Sequence, residues 1–466
     1  MIANPPATFR LTDLESPNAF AGLRVLVMGL GRFGGGIGVT RFLADRGANV
    51  TVTDLGDPST LAGSVLKLSD LAVRFRLGCH DEDDLDHTDL LVVSPAVDKR
   101  KSAFFQAAAR RGIPWTSEMN LFLQRCPARL IGITGSAGKS TTCAMLGAIL
   151  SRAAAGGAAT LGRVWIGGNI GVSLLGELPA MTSRDTVLLE LSSFQLEDAA
   201  HVRRSPSVAA ITNIAANHLD RHGAFEDYVA VKLNIVRFQK PGDRVFLRRD
   251  DQSLVDSVRA ITEQTGSVID SVEARNRDWR LRVPGQHNLR NADMAATIAA
   301  TLGVPDDDIA GALADFAGLP HRLQHVARVG GVDYYNDSKS TTPEATLTAV
   351  RSFDRPVTVL LGGADKHLPL DELAQTLAAR AKAVICFGAA ADRFYETLQH
   401  ALGERAAAYL ERCGSLAAAV EAAGRRSASG DIILLSPACA SYDEFINYEA
   451  RGERFVRLIA GRMAGT

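Results

Sequence analysis

Several things that would narrow this protein's class are scarce in its sequence. Among 466 residues there are six cysteines, at positions 79, 126, 143, 386, 413 and 439, and none of them forms a C-x-x-C pair. That spacing argues against a zinc knuckle or a disulfide scaffold and fits a reducing compartment. No apolar run reaches the ~20 residues that a membrane-spanning helix needs, so no membrane partner is expected. Charge of one sign is also missing: 51 Lys and Arg face 52 Asp and Glu, for a net charge of −1. Without a basic field there is no electrostatic footprint for nucleic acid, and a pair such as Arg248-Arg249 reads as a solvated face. The opening residues, MIANPPATFR, lack the apolar stretch of a secretory signal. The expected setting is the cytoplasm.

What is present is a repeated alternation of short apolar runs and helix-like stretches. Arg24–Gly29, Asn49–Asp54 and Asp89–Ser94 read as strands, with helices expected at Gly38–Arg46 and Ser102–Arg111. That order predicts a parallel sheet with crossover helices. A second segment starts near Glu118 and includes strand-like runs at Leu130–Ile133, Val187–Leu191 and Val208–Asn213. Ala153–Gly162, rich in alanine and glycine, is expected to be a loop. A third segment restarts the pattern near Gly318, with strands expected at Val332–Asn336, Val357–Gly362, Ala383–Gly388 and Asp431–Ser436. The length supports about three domains, placed at 1–117, 118–318 and 319–466. The fold class expected is α/β throughout: a Rossmann-like first domain, a central P-loop domain with a parallel sheet, and a Rossmann-like C-terminal domain.

Two glycine turns carry chemistry. ITGSAGKSTT at 133–142 joins a strand to a helix. Gly135 and Gly138 let backbone N–H groups converge on an anion, and Ser136 adds a small polar side chain. The following helix turns its positive end to the same spot, Lys139 adds charge, and the hydroxyls of Ser140 and Thr141 suit Mg²⁺. Five residues lie between Gly132 and Gly138 where the usual P-loop has four. GLGRFG at 29–34, with Asp54 further on, fits the dinucleotide fingerprint. Its glycines require only the approach of a pyrophosphate, so NAD, FAD and a UDP-sugar all remain open, as does a turn made for packing.

Further clusters sit beside predicted strand ends, where parallel sheets bind ligands. GGNIG (167–171), LELSSFQLE (189–197) and TNIAANHLDRHG (212–223) bring Glu190, His218 and Asp220. A carboxylate beside phosphates suits a hard cation, whereas His218 is as readily a turn residue as a ligand. Lys232, judged by pattern alone, is a surface lysine. GQHNLRNA (285–292) reads as a cap and turn. In the third segment, NDSKSTTPEAT (336–346) opens a helix with Thr342 as cap and Pro343 at its first position. LLGGADKH (360–367) and LLSPACASYDEF (434–445) are two more strand ends. Ser441 and Glu444 have capping-box spacing, so Ser441 alone reads as a helix cap.

In their order and spacing, GSAGKST, GGNIG, LELSSFQLE, NHLDRHG, GQHNLRNA, LPHR, NDSK and LLSPACAS resemble the Mur ligases, and among them the group that adds glutamate. The resemblance spans essentially the whole chain, and the shifted glycine spacing at 132–138 is that family's own variant. It implies an ATP-dependent ligase of peptidoglycan precursor synthesis whose substrates are ATP, UDP-N-acetylmuramoyl-L-alanine and D-glutamate, acting as a monomer. It implies that Gly29, Gly31, Arg32, Phe33, Asp54 and Ser94 hold the UDP part. Lys139, Lys232, His218 and Asn169 are implied in catalysis, and Gly135, Ser136, Gly138, Lys139, Ser140, Thr141, Asn291, Arg322 and Asp337 in ATP binding. Ser140, Glu190, His218 and Lys232 are implied as ligands of Mg²⁺ at two sites, with Lys232 carbamylated by CO₂. Lys339, Thr341, Lys366, Ser441, Tyr442 and Tyr448 are implied around the glutamate. The competing readings are a Mur ligase that adds alanine or a diamino acid, an NAD-dependent oxidoreductase and a non-catalytic nucleotide switch.

Overall fold

VLVM (25–28) and LLVV (90–93) are apolar at every position, which suits strands covered on both faces. In the computed structural model, which describes residues 14, 16, 18–32, 34–157, 160–171, 173–273 and 279–464, both lie at the centre of a parallel sheet. That sheet comprises β1 (Arg24–Met28), β2 (Asn49–Asp54), β3 (Arg74–Leu77), β4 (Leu90–Val93) and β5 (Trp115–Thr116) in the order β3-β2-β1-β4-β5. Val25 and Val27 pack on one face in a core with Val39 and Phe42 of helix Gly35–Ala44. Leu26 and Met28 pack on the other with Phe104 and Phe105 of helix Ala103–Arg110, which Ser102 caps.

The second sheet is also fully parallel. It comprises β6 (Arg129–Thr134), β7 (Val164–Gly168), β8 (Thr186–Glu190), β9 (Val208–Ile211), β10 (Arg244–Arg248) and β11 (Val268–Val272), in the order β11-β10-β9-β6-β8-β7. The strand order reverses around β6, whose carboxyl end is therefore the crevice where ligands bind such sheets. Both sheets belong to one compact unit, Met1–Asn276 with Asp293–Ile309, and share a core that runs from Val25 and Val92 to Leu189 and Ile211.

The second unit, Arg277–Ala292 with Ala310–Thr466, holds the third sheet. Its strands are β12 (Gln324–Val329), β13 (Val332–Asn336), β14 (Val357–Gly362), β15 (Ala381–Phe387), β16 (Leu410–Cys413) and β17 (Ile432–Leu435). They are ordered β12-β13-β17-β14-β15-β16, and the β12–β13 hairpin is the antiparallel pair. Separate apolar clusters cover the two faces. The α/β class and the three mostly parallel sheets match the sequence expectation.

Three local readings differ from that expectation. The stretch at 153–162 is not all loop: helix Lys139–Ala155 absorbs Ala153, Ala154 and Ala155 and stops at Gly156, because alanine is the best helix former. Ser441 is not a helix cap. Its carbonyl accepts from the N–H groups of Glu444 and Phe445 in a turn, Glu444 instead accepts from the N–H of Leu416, and the helix begins at Tyr448. Seven strands, β3, β5, β7, β10, β11, β12 and β16, escape the sequence reading.

Arg451 ties the second unit together. It is fully buried and donates to the hydroxyl and carbonyl of Ser338 (2.9 and 2.8 Å), to Ala440 O (2.9 Å) and to Cys439 O (3.1 Å). It thereby clamps the loop after β13 to the loop after β17. Burial lowers its pKa to about 10. Arg451→Met strands these acceptors, and is expected to destabilise this unit by about 3 kcal/mol or more. A urea unfolding curve followed by circular dichroism checks this; an unchanged midpoint would refute it.

Candidate active site

The loop after β6 is built around small residues and short tethers. Gly135 has φ +149, and a Cβ there would lie 2.0 Å from the Thr212 hydroxyl, so only glycine fits. Asn213 accepts from Ala137 N–H (3.0 Å) and donates to Ala137 O (2.9 Å). Ser136 Oγ donates to Ala215 O (2.8 Å) and lies 3.0 Å from the Tyr228 hydroxyl. Gly138 (φ 84) then starts the 17-residue helix that holds Lys139, Ser140 and Thr141 in its first turn. The Lys139 ammonium folds back onto Gly135 O at 2.8 Å. The expected residues 135–141 therefore stand together at the positive end of a helix, the arrangement that binds phosphate.

A second lysine reaches the same carbonyl. Lys232 Nζ donates to Gly135 O (2.9 Å) and Thr134 Oγ1 (3.4 Å) and is only 1% exposed. The surface-lysine reading is thus overturned: helix Phe225–Lys232 turns Tyr228 and Lys232 inward. Burial lowers the pKa of Lys232 to about 7, helped by the charge of Lys139 and opposed by Glu190. Glu190 ends β8 and is buried; its Oε1 accepts from Asn169 Nδ2 (2.8 Å), while Oε2 has no hydrogen-bond partner in the protein. A buried, unpaired carboxylate oxygen is costly and suits a hard cation. Among the described residues no three His, Cys, Asp or Glu side chains form a metal-binding group. A cation at Glu190 would therefore draw most of its shell from hydroxyl, phosphate or water oxygens. His218 adopts φ 52, and its ring packs 5.1 Å from that of Phe194. Burial is the largest influence on its pKa, which is lowered.

The glycine turn after β1 borders two adjoining clefts. One, of roughly 990 Å³, is lined by Gly31, Asp54, His80, Ser94 and Phe104. The other, of roughly 350 Å³, shares Gly31 and Ser94 and reaches Asn169, Phe194, Gln195 and Glu118. The GLGRFG turn approaches GGNIG closely, since a Cβ on Gly34 would come within 2.8 Å of Gly171 O. Asp54 is committed to the backbone: Oδ2 accepts from Leu30 and Gly31 N–H (2.8 and 3.0 Å) and Oδ1 from Gly56 N–H (2.7 Å). Arg32 is exposed, and Phe33 lies outside the described residues. Glu118 was missed by the sequence reading, since SEMNLF looks only like a helix start. It accepts from Ser173 Oγ (2.7 Å), and burial raises its pKa to about 7.

In the second unit, the ends of β13, β14 and β17 converge. Lys366 Nζ donates to Thr341 O (3.1 Å) and Oγ1 (3.3 Å), and Lys339 Nζ lies 5.1 Å from the centre of the Tyr448 ring. Ala364 bridges to Ala440 beside Ser441, which is buried, whereas Tyr442 is exposed. Asp337 is a buried bracket: it accepts from Leu323 N–H (3.1 Å) and from the hydroxyls of Ser340 (2.5 Å) and Ser436 (2.8 Å). Burial raises its pKa to about 6 against the pull of these bonds and of Arg322. Asn291 is buried in helix Gln286–Thr301, with its Nδ2 3.4 Å from Asn288 Oδ1. Thr342 caps the helix that Pro343 begins, as its sequence predicts.

Three family models match the chain in succession: the Mur ligase MurD-like N-terminal domain at residues 23–117, the Mur ligase middle domain at 133–300 and the Mur ligase glutamate ligase domain at 321–439. The UDP-N-acetylmuramoylalanine–D-glutamate ligase of Roseiflexus sp. (strain RS-1) is 39% identical, with 94% of this chain and 98% of the relative covered. That of Pelotomaculum thermopropionicum is 35% identical, over 96% and 99%. Among solved structures, the UDP-N-acetylmuramate-alanine ligase MurC of Thermotoga maritima matches with a TM-score of 0.59 at 18% identity, over 94% and 99% of the two chains. The MurF ligase of Thermotoga maritima in complex with ADP matches at 0.56 and 15% identity, over 95% and 98%. The structural likenesses establish a shared fold, and the family models and near-full-length relatives establish more: this chain belongs to the Mur ligase family.

Proposed function

We propose that the chain joins D-glutamate to UDP-N-acetylmuramoyl-L-alanine at the expense of ATP, in the cytoplasmic synthesis of peptidoglycan precursors. Relatives of that activity align along nearly its whole length. The observation that carries the chemistry is the meeting of Lys139 and Lys232 on Gly135 O, in a phosphate loop next to the unpaired oxygen of Glu190. Among the described residues no helix is long and apolar enough to cross a membrane. Asp54 counts against the oxidoreductase reading. A dehydrogenase needs this acid for a ribose hydroxyl, but here both of its oxygens already hold backbone N–H groups.

A free carboxylate is a poor electrophile, so it must first be activated. An oxygen of the substrate's alanine carboxylate attacks the γ-phosphorus of ATP, and ADP leaves. The acyl phosphate that results is attacked by the uncharged amine of glutamate. The tetrahedral adduct then collapses with loss of phosphate, and the amine proton goes to solvent. Lys139 and the N–H groups of 135–141 hold the phosphates and offset charge on the transferred group. Asn291, Arg322 and Asp337 shape the adenine-nucleotide site, and Asn169, Ser94 and the 29–34 turn the sugar nucleotide site. Lys339, Thr341, Lys366 and Ser441 receive the carboxylates of glutamate, bordered by Tyr442 and Tyr448. Ser140, Glu190, His218 and Lys232 would hold Mg²⁺, which supplies charge neutralisation at the phosphates when bound. Lys232 would contribute as a carbamate: its ammonium first loses a proton, and the uncharged amine then adds to CO₂, forming an N–C bond and releasing a second proton, which turns a buried cation into an anionic oxygen ligand.

Phosphate release from ATP, measured with UDP-N-acetylmuramoyl-L-alanine and one amino acid at a time, tests the activity. D-glutamate is expected to trigger turnover. Turnover with L-glutamate instead would change the substrate, and none with any amino acid would sink the reading. Lys232→Met is expected to lower kcat on the order of 100-fold. Only the uncharged amine adds CO₂, and its share grows as pH rises through about 7. After CO₂ is stripped, bicarbonate should therefore restore activity at about pH 8 and much less at about pH 6. Native mass spectrometry should show one added CO₂ that Lys232→Met lacks, and bicarbonate-independent activity with an unchanged mass would rule the carbamate out.

A further inference from the structure

One side chain joins the sugar-nucleotide clefts to the His218 segment. Arg221 lies in the single helical turn Leu219–His222, and its guanidinium takes three successive backbone carbonyls: Pro95 O (2.9 Å), Ala96 O (3.0 Å) and Val97 O (2.5 Å). Pro95 and Ala96 line the smaller cleft, and Ala96 and Val97 the larger. The guanidinium also sits 4.2 Å over the Phe194 ring, whose other neighbours include His218 (5.1 Å) and His222 (5.4 Å, stacked). At the backbone, His218 O accepts from the N–H groups of Arg221 (3.0 Å) and His222 (2.9 Å), which ties the turn to His218. The loop answers from its own side. Lys101 Nζ donates to Asp220 O (3.2 Å) and Arg100 Nη1 to His222 O (3.3 Å). Packing alone does not require a guanidinium to gather three carbonyls of a loop that lines a ligand cleft.

We propose that Arg221 is a positioning residue that couples occupancy of the sugar-nucleotide clefts to the placement of His218 at the phosphate site. The inference rests on the ligase reading of these two sites. A diphosphate seated against residues 94–97 acts on the carbonyls that Arg221 holds, and the turn passes the displacement to His218. Such coupling is reciprocal: each ligand must tighten the other by the same factor. Lysine cannot replace arginine here, because an ammonium lacks the planar fork that meets three carbonyls at once.

The test is calorimetry on the full chain, with the Mg²⁺ complex of a non-hydrolysable ATP analogue titrated with and without UDP-N-acetylmuramoyl-L-alanine, alongside kcat and KM. In the wild type, the sugar nucleotide is expected to tighten the analogue about fivefold or more. Arg221→Ala and Arg221→Lys should bring that ratio near one and cut kcat about tenfold, with the analogue's affinity alone unchanged. Added guanidinium should restore part of the ratio in Arg221→Ala and do nothing for the wild type. Arg100→Met, an exposed change on the loop side of the same clasp at a residue that lines neither cleft, should lower the ratio partway, and decides the matter if the Arg221 variants do not fold. A wild-type ratio near one, or a ratio that survives these substitutions, overturns the proposal. A wild-type chain with no phosphate release overturns the ligase reading and this inference with it, whereas an active wild type with an unaltered ratio in the variants overturns this inference alone.

Discussion

A parallel sheet puts the carboxyl ends of all its strands on one edge, and the loops that hold the candidate site residues in this chain leave from those ends. The glycine turn leaves β1 and the Ser94 loop leaves β4; the glycine loop 135–138 leaves β6; Asn169 follows β7, Glu190 ends β8 and the His218 segment follows β9. In the second unit the same rule gathers the ends of β13, β14 and β17. The candidate site therefore follows from strand direction. Crossover helices enforce that direction by covering both faces of each sheet, and the apolar runs VLVM, LLVV and IILL meet that demand.

Charge placed at those strand ends is then used against its usual solvation. Lys232, Glu118 and Asp337 are held where burial shifts their pKa values to about 7, 7 and 6, and Glu190 Oε2 is left without a hydrogen bond. Each arrangement costs stability, and such groups cluster where chemistry is done. The cost is contained by rigid brackets made mostly of backbone. Gly135 O takes two lysines, Asp54 takes three N–H groups, and Arg451 and Arg221 each take several carbonyls. Backbone partners leave the loops little freedom to reorganise, which is the condition for electrostatic preorganisation.

The strands found from sequence were nearly all the interior ones. Six of the seven that escaped, β3, β5, β7, β11, β12 and β16, are the two edges of each sheet. Edge strands are shielded less, so RFRL and QHVARV mix polar and apolar residues and lose the continuous signal. Phosphate-loop and glycine-turn residues were legible because their backbone geometry demands glycine. Lys232 was not, since one turn of FEDYVAVK looks the same whether its lysine faces water or a buried carbonyl. Arg221 and Arg451 were invisible for a related reason: their partners are carbonyls, which every residue possesses.

By itself, then, the order of motifs determined the class of the fold, the place of the phosphate loop and the family likeness, because glycine spacing and apolar runs are local properties of the chain. Tertiary structure alone decided that Lys232 is buried and near neutrality, that Ser441 sits in a turn, that Asp54 serves the backbone, and that Arg221 grips residues 95–97 from 124 to 126 positions away. Burial and long-range hydrogen bonds set these outcomes. Both depend on what the folded chain brings alongside a residue, which its neighbours in sequence do not specify.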